Sequence, residues 1–180
     1  MSSKSAKILL TGLPGCGKTT AVMQIIENLD CEKVAGFYTQ EIRQNNIRKG
    51  FSWKRLDGAE GTLAHIKIKG PWRLGKYGVD VAGFEESVVP ILGVEQTDVE
   101  LFVIDEIGKM ECFSEKFVAA VRGLFASEKS VLATVAQKGT GLISEVKNYP
   151  NAQLFHLSHS SRDKTIAEIL QALSFLKKTS

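Results

Sequence analysis

The stretch LLTGLPGCGKTTAV, residues 9–22, sets two apolar residues before a glycine-rich turn that ends in Lys18-Thr19-Thr20. Gly12 to Thr19 matches GxxxxGK[ST] at every position, after an apolar strand pattern and at the start of an amphipathic helical one, where such a motif has mechanical meaning. Glycines let successive backbone N–H groups turn inward with no Cβ in the way, and the following helix adds the positive end of its dipole. The motif therefore predicts a phosphate cradle made of Gly12, Leu13, Pro14, Gly15, Cys16 and Gly17. Lys18 is expected to bridge β- and γ-phosphate oxygens, Thr19 to ligate Mg²⁺ through its hydroxyl, and Thr20 to reach the α-phosphate. Cys16 has two readings: a thiol whose pKa is lowered by nearby N–H groups and Lys18, or a small filler pointing away from the phosphates.

Outward from this loop, KILLT (7–11), KVAGFYT (33–39), ELFVIDE (100–106), SVLATVA (130–136) and AQLFHL (152–157) read as strands, several buried on both faces. TTAVMQIIENL (19–29), SEKFVAAVRGLFAS (114–127) and RDKTIAEILQALSFLKK (162–178) carry apolar residues three and four apart, the spacing of helices packed on a sheet. Strands alternating with helices predict an α/β fold with a mostly parallel sheet and helices on both faces. Residues 41–69 break that rhythm with short alternating segments and polar turns, which predicts an inserted antiparallel hairpin, and GFEESVVPILGV (83–94) predicts a short helix.

In the third strand pattern, four apolar residues run into Asp105 and Glu106, placing two carboxylates at the carboxyl edge of the sheet, where open α/β sheets bind ligands. Asp105 is expected to hold Mg²⁺ beside Thr19. Glu106 is expected to activate a water against the γ-phosphate. Asp105 to Gly108 also satisfies DxxG, which raises a switch reading; no NKxD accompanies it.

Composition narrows the class. At 180 residues, 43% hydrophobic and 24% charged, the chain reads as one globular domain spanning residues 1–180, and no apolar run approaches a membrane span. The apolar stretch near the amino terminus is too short for a signal peptide, so a cytoplasmic location is expected. Net charge is only +3 and the basic residues form no block or aromatic-basic motif, which argues against nucleic acid as partner without excluding it. Cys16, Cys31 and Cys112 are odd in number and lack CxxC spacing, against both a disulfide framework and a structural zinc site.

The combination TGLPGCGKTT, GFYTQEIR (36–43), RKGF (48–51), GKYGVDVAGFEE (75–86) and VIDEIGKME (103–111) resembles, in order and spacing, the THEP1 family of nucleoside triphosphatases. The resemblance spans nearly the whole chain, with DEIGKME its most specific part. It implies a RecA-like P-loop fold and Mg²⁺-dependent hydrolysis of ATP, GTP and other nucleoside triphosphates, with low turnover and broad base tolerance. Ser161-Arg162-Asp163 stands where the family has Asn-Arg-Asp, and Val135-Ala136 where it commonly has a proline.

Charge developing on the γ-phosphate calls for a cation, and the chain has six arginines. Arg43 and Arg48 flank the hairpin turn and are the preferred candidates, while Arg162 follows the last strand, where it is expected to stack on the base. Trp53 and Trp72 read as packing residues. Three functions stay open: a triphosphatase using water, a small nucleotide or nucleoside kinase, and a nucleotide-dependent switch or binding module. Arginine scarcity weighs against a kinase lid. A monomer or weak oligomer is expected, and a neighbouring subunit remains a possible source of an arginine.

Overall fold

The computed structural model describes residues 5–176. The chain runs β1 (Lys7–Thr11), α1 (Lys18–Leu29), β2 (Val34–Gln44), β3 (Ile47–Arg55), β4 (Glu60–His65), β5 (Arg73–Leu74), β6 (Tyr77–Val79) and α2 (Val81–Ser87). It continues with β7 (Leu101–Ile107), α3 (Glu115–Ala126), β8 (Ser130–Val135), α4 (Leu142–Lys147), β9 (Ala152–His156) and α5 (Arg162–Ala172). All nine strands form one sheet in the order β5-β6-β4-β3-β2-β7-β8-β1-β9. From β2 through β9 every neighbour is parallel; from β2 outward to β5 every neighbour is antiparallel.

Burial on both faces explains why the central parallel strands β1, β7 and β8 are continuous apolar runs, while the edge strand β9 is largely exposed. Ile8 and Leu10 of β1, Leu101 and Val103 of β7 and Leu132 of β8 pack under α1 and α5 with Val22, Ile25 and Ile169. The alternate residues Leu9, Phe102, Ile104, Val131 and Ala133 pack on the other side against Phe84, Phe117, Val121 and Leu124 of α2 and α3. Three layers follow from the two-residue period of the strands. Gly36 of β2 sits opposite Val103 of β7 at φ 140°, and a Cβ there would lie 1.9 Å from the Val103 carbonyl oxygen, so this parallel pairing requires glycine.

The antiparallel element is larger than the predicted hairpin. Its first strand is the same β2 that pairs with β7, carried past the parallel core to Gln44, and β4 then recruits β6 and β5, so the extension reaches Val79. Sequence alternation marks the hairpin, whereas the two- and three-residue strands β5 and β6 are too short to show a period. The short helix expected within 83–94 is α2 followed by a 3₁₀ turn at Val89–Leu92. The helix expected over 162–178 ends at Ala172, with a 3₁₀ turn at Ser174–Leu176; Lys177 and Lys178 lie outside the described residues. Among the described residues no helix is long and apolar enough to cross a membrane.

Lys7 is the charged member of the fully buried β1. Its ammonium donates to the carbonyls of Leu124 and Ser127, both at 2.9 Å, and to that of Lys129, closing the end of α3, while burial pulls its pKa down to about 8. Lys7→Met removes the donor from three carbonyls and is expected to lower stability by about 1–3 kcal/mol, read as a drop in the thermal midpoint.

Candidate active site

The loop after β1 turns because Gly15 and Gly17 adopt left-handed φ of 78° and 89°. Gly17 caps α1, and no side chain bonds the first turn, so its N–H groups are left for an anion. A cavity of about 650 Å³ lies over this end and takes in Gly12, Pro14, Gly15, Gly17, Lys18 and Thr19. The Lys18 ammonium folds back onto the loop, donating to the Gly12 carbonyl at 3.2 Å. Two residues of the predicted cradle, Leu13 and Cys16, do not line the cavity, nor does Thr20 of α1, expected at the α-phosphate. Cys16 is 6% exposed and packs into the cluster under α1, Leu13 is 64% exposed, and Thr20 points to solvent.

β7 delivers the acidic pair. Its pairing with β8 shifts register between Ile104 and Ile107, so Asp105 and Glu106 fall on a bulge, and both line the cavity although they are consecutive. Asp105 is 1% exposed. Its carboxylate accepts from the Thr19 hydroxyl at 2.6 Å, from the Thr39 N–H at 3.4 Å and from the Thr134 hydroxyl. Burial pushes its pKa up, and these donors together with the Lys18 charge oppose the push. Burial also raises Glu106, with Lys18 pulling it down and Asp105 adding to the rise. No motif marks Thr39 or Thr134; the one signal is Thr134 as a polar residue inside the apolar run SVLATVA.

The rest of the wall comes from the hairpin and from the segment after β8: Gln40, Glu41, Arg48, Phe51, Ala136, Gln137 and Lys138. Of the three arginines expected here, Arg48 alone lines the cavity. It donates to Glu41 at 2.7 Å and to the Tyr77 hydroxyl at 3.2 Å. Arg43 is turned along the hairpin, bonded to the other oxygen of Glu41 at 2.7 Å and to the Asn46 carbonyl at 2.9 Å. The two guanidiniums hold the Glu41 carboxyl below its usual range, Arg48 contributing most. Arg162 lies under the loop, donating to the Gly17 carbonyl and the Gln24 side chain, each at 3.2 Å. Trp53 is 6% exposed with its ring against Gly61, whereas Trp72 is 45% exposed beside Phe113.

Glu111 follows on a 3₁₀ turn and is 5% exposed. An oxygen of Glu111 and one of Glu106 lie 2.7 and 2.9 Å from the point where a Cβ on Gly108 would stand, so the two carboxyls flank this glycine. Burial, with repulsion from Glu106, raises Glu111 to about 8. A carboxyl raised in the fold binds its proton more tightly folded than unfolded. Its stabilisation is therefore complete below the ordinary glutamate range and is lost as pH climbs toward about 8. Glu111→Gln is expected to flatten this loss, the mutant gaining on the wild type by up to about 1.4 kcal/mol per pH unit across that window in chemical unfolding at several pH values.

A parallel core whose first strand turns through a glycine loop into a helix, facing an acidic pair on a neighbouring strand, defines a P-loop nucleoside triphosphatase fold. A family model described as NTPase matches residues 7–170. The nucleoside-triphosphatase THEP1 of Thermotoga petrophila is 41% identical over 171 residues, covering 94% of this chain and 93% of that protein. The crystal structure of THEP1 from the hyperthermophile Aquifex aeolicus superposes with a TM-score of 0.85 at 36% identity, covering 93% of this chain and 98% of the other. The solution structure of a human cancer-related nucleoside triphosphatase gives 0.80 at 33% identity, covering 97% and 100%. The chain belongs to the THEP1 family and is a nucleoside triphosphatase.

Proposed function

We propose that this enzyme hydrolyses ATP, GTP and other nucleoside triphosphates to the diphosphate and phosphate in a Mg²⁺-dependent reaction with water as acceptor. The observation that carries the reading is Glu106 on the cavity wall next to Asp105, whose carboxylate meets the Thr19 hydroxyl at 2.6 Å. Hard oxygen donors of this kind suit Mg²⁺, and a buried carboxylate whose ionised form is disfavoured gains from a cation beside it. Thr19 and Asp105 would hold the ion, which would neutralise charge on the β- and γ-phosphate oxygens.

The loop amides and Lys18 bind the phosphates, and because they grip no part of the base they support broad base tolerance. Glu106 orients the attacking water and takes its proton. Arg48, already on the wall and steered by Glu41, meets the charge that develops on the γ-phosphate. Arg162 acts from below by fixing the Gly17 turn. Free thiols at Cys16, Cys31 and Cys112 suit a reducing cytoplasm.

The test is phosphate release from ATP, GTP, CTP and UTP with Mg²⁺ and no added acceptor, repeated with a chelator. Release from all four that the chelator abolishes is expected. Turnover that starts only on addition of a nucleoside monophosphate would replace this reading with a nucleotide kinase.

A further inference from the structure

Behind Glu106 a second cavity of about 290 Å³ opens. It shares Thr39, Phe51, Glu106 and Ala136 with the triphosphate cleft, so these four residues form a wall common to both. Leu63 of β4, Leu74 of β5 and Met110 add an apolar lining to this open-sided cavity, with Lys109 and the buried Glu111 as its other polar members. Phe51, Leu63 and Leu74 all come from the antiparallel extension. An apolar pocket with a few convergent polar groups is the usual form of a small-molecule site.

Its size and lining restrict the occupant. The volume falls at the lower end of such sites, so a whole nucleoside monophosphate finds no room, and Lys109 is the one cation among the described residues of the lining. A compact apolar ring or chain fits. Such a body must leave any hydroxyl it carries against the polar wall, where Glu106 also borders the phosphate cleft. A hydroxyl held there competes with water through an effective concentration far above that of a free solute.

We propose that this cavity seats the apolar body of a compact primary alcohol and that the enzyme transfers the γ-phosphoryl group to its hydroxyl in place of water. The hydroxyl oxygen bonds to the γ-phosphorus as the bond to the β,γ-bridging oxygen breaks, and the electron pair leaves with the nucleoside diphosphate. The hydroxyl proton passes to the Glu106 carboxylate and then to solvent, and the second product is a phosphate monoester. The proposal rests on Glu106 as the base of the hydrolytic reaction.

Benzyl alcohol is a probe of suitable size. In protein labelled with ¹³C at its methionine methyls, Met110 reports from the cavity while Met23 on α1 lines neither cavity. Titration is expected to shift the Met110 signal saturably and leave Met23 in place, and incubation with ATP and Mg²⁺ to yield benzyl phosphate by ³¹P NMR. Leu74→Trp fills the cavity and is expected to lower the ratio of benzyl phosphate to free phosphate roughly tenfold or more, and Leu74→Phe to lower it less. The unchanged Met23 signal verifies that either variant is folded. An immobile Met110 signal, or a shifted one with free phosphate as the sole product, overturns the proposal. Phosphate release that survives Glu106→Gln overturns instead the assignment of the base; release that depends on Glu106 without ester overturns the acceptor site alone.

Discussion

Replacing Glu106 by Gln is expected to cut phosphate release by roughly 10²- to 10⁴-fold while leaving triphosphate affinity nearly unchanged, because the amide keeps the shape and loses the proton acceptor. On the proposed mechanism binding rests on the α1 amides and Lys18, which the substitution leaves in place. Burial and the Asp105 charge both disfavour the ionised Glu106, so the neutral glutamine relieves the site and the thermal midpoint of the variant is expected to be no lower than that of the wild type. The pH profile supplies a second check. Since burial raises Glu106, kcat/KM is expected to fall with decreasing pH through a value above the ordinary carboxylate range, as the base takes up its proton. Full release by Glu106→Gln, measured with a phosphate sensor alongside a fluorescent-nucleotide titration, would remove the residue from the reaction.

Lys18→Ala should reduce kcat/KM by roughly 10²- to 10³-fold, with both binding and turnover affected, if the ammonium meets phosphates in ground and transition states as proposed. Lys18 is also the positive charge that opposes the rise of both Asp105 and Glu106. Its loss leaves two buried acids with less reason to ionise, so the acid limb of any remaining activity is expected to move to higher pH than in the wild type. A limb that stays in place with kcat untouched would mean that Lys18 serves binding alone. Comparison with Glu106→Gln separates the roles, because only the lysine variant should lose nucleotide affinity.

Local pattern made much of the architecture legible. The parallel core follows from apolar runs, buried on both faces in β1, β7 and β8, and each predicted core strand became β1, β2, β7, β8 or β9. The helix expected from Ser114 has that residue as its cap, the hydroxyl accepting from the Phe117 N–H, and the one expected from Thr19 begins one residue earlier, at Lys18 on the glycine loop. The outer strands β5 and β6 were not, since two or three residues carry no period and are strands only because β4 offers an edge. Among the site residues, the loop and the acidic pair are contiguous motifs, whereas Thr39 and Thr134 approach Asp105 from two different strands.

The arginines show the boundary most clearly. Sequence placed Arg43 and Arg48 on either side of one turn with nothing to separate them, and they stand opposite each other in the β2–β3 register; Arg48 reaches across to the Tyr77 hydroxyl of β6 and lines the cavity, whereas Arg43 is bonded back to Asn46 in the turn. Arg162 likewise reached the glycine loop because α5 packs on α1, a contact between elements more than a hundred residues apart. What the sequence alone determined is the chemistry that neighbours in the chain can encode: a glycine turn with its lysine and threonine, an acidic pair at a strand end, and the alternation of strands and helices. Only the tertiary structure decided which arginine lines the cavity, what holds Asp105 and which residues line the second cavity. Those depend on strand order and register, which are fixed by burial summed over the whole sheet and not by any single segment.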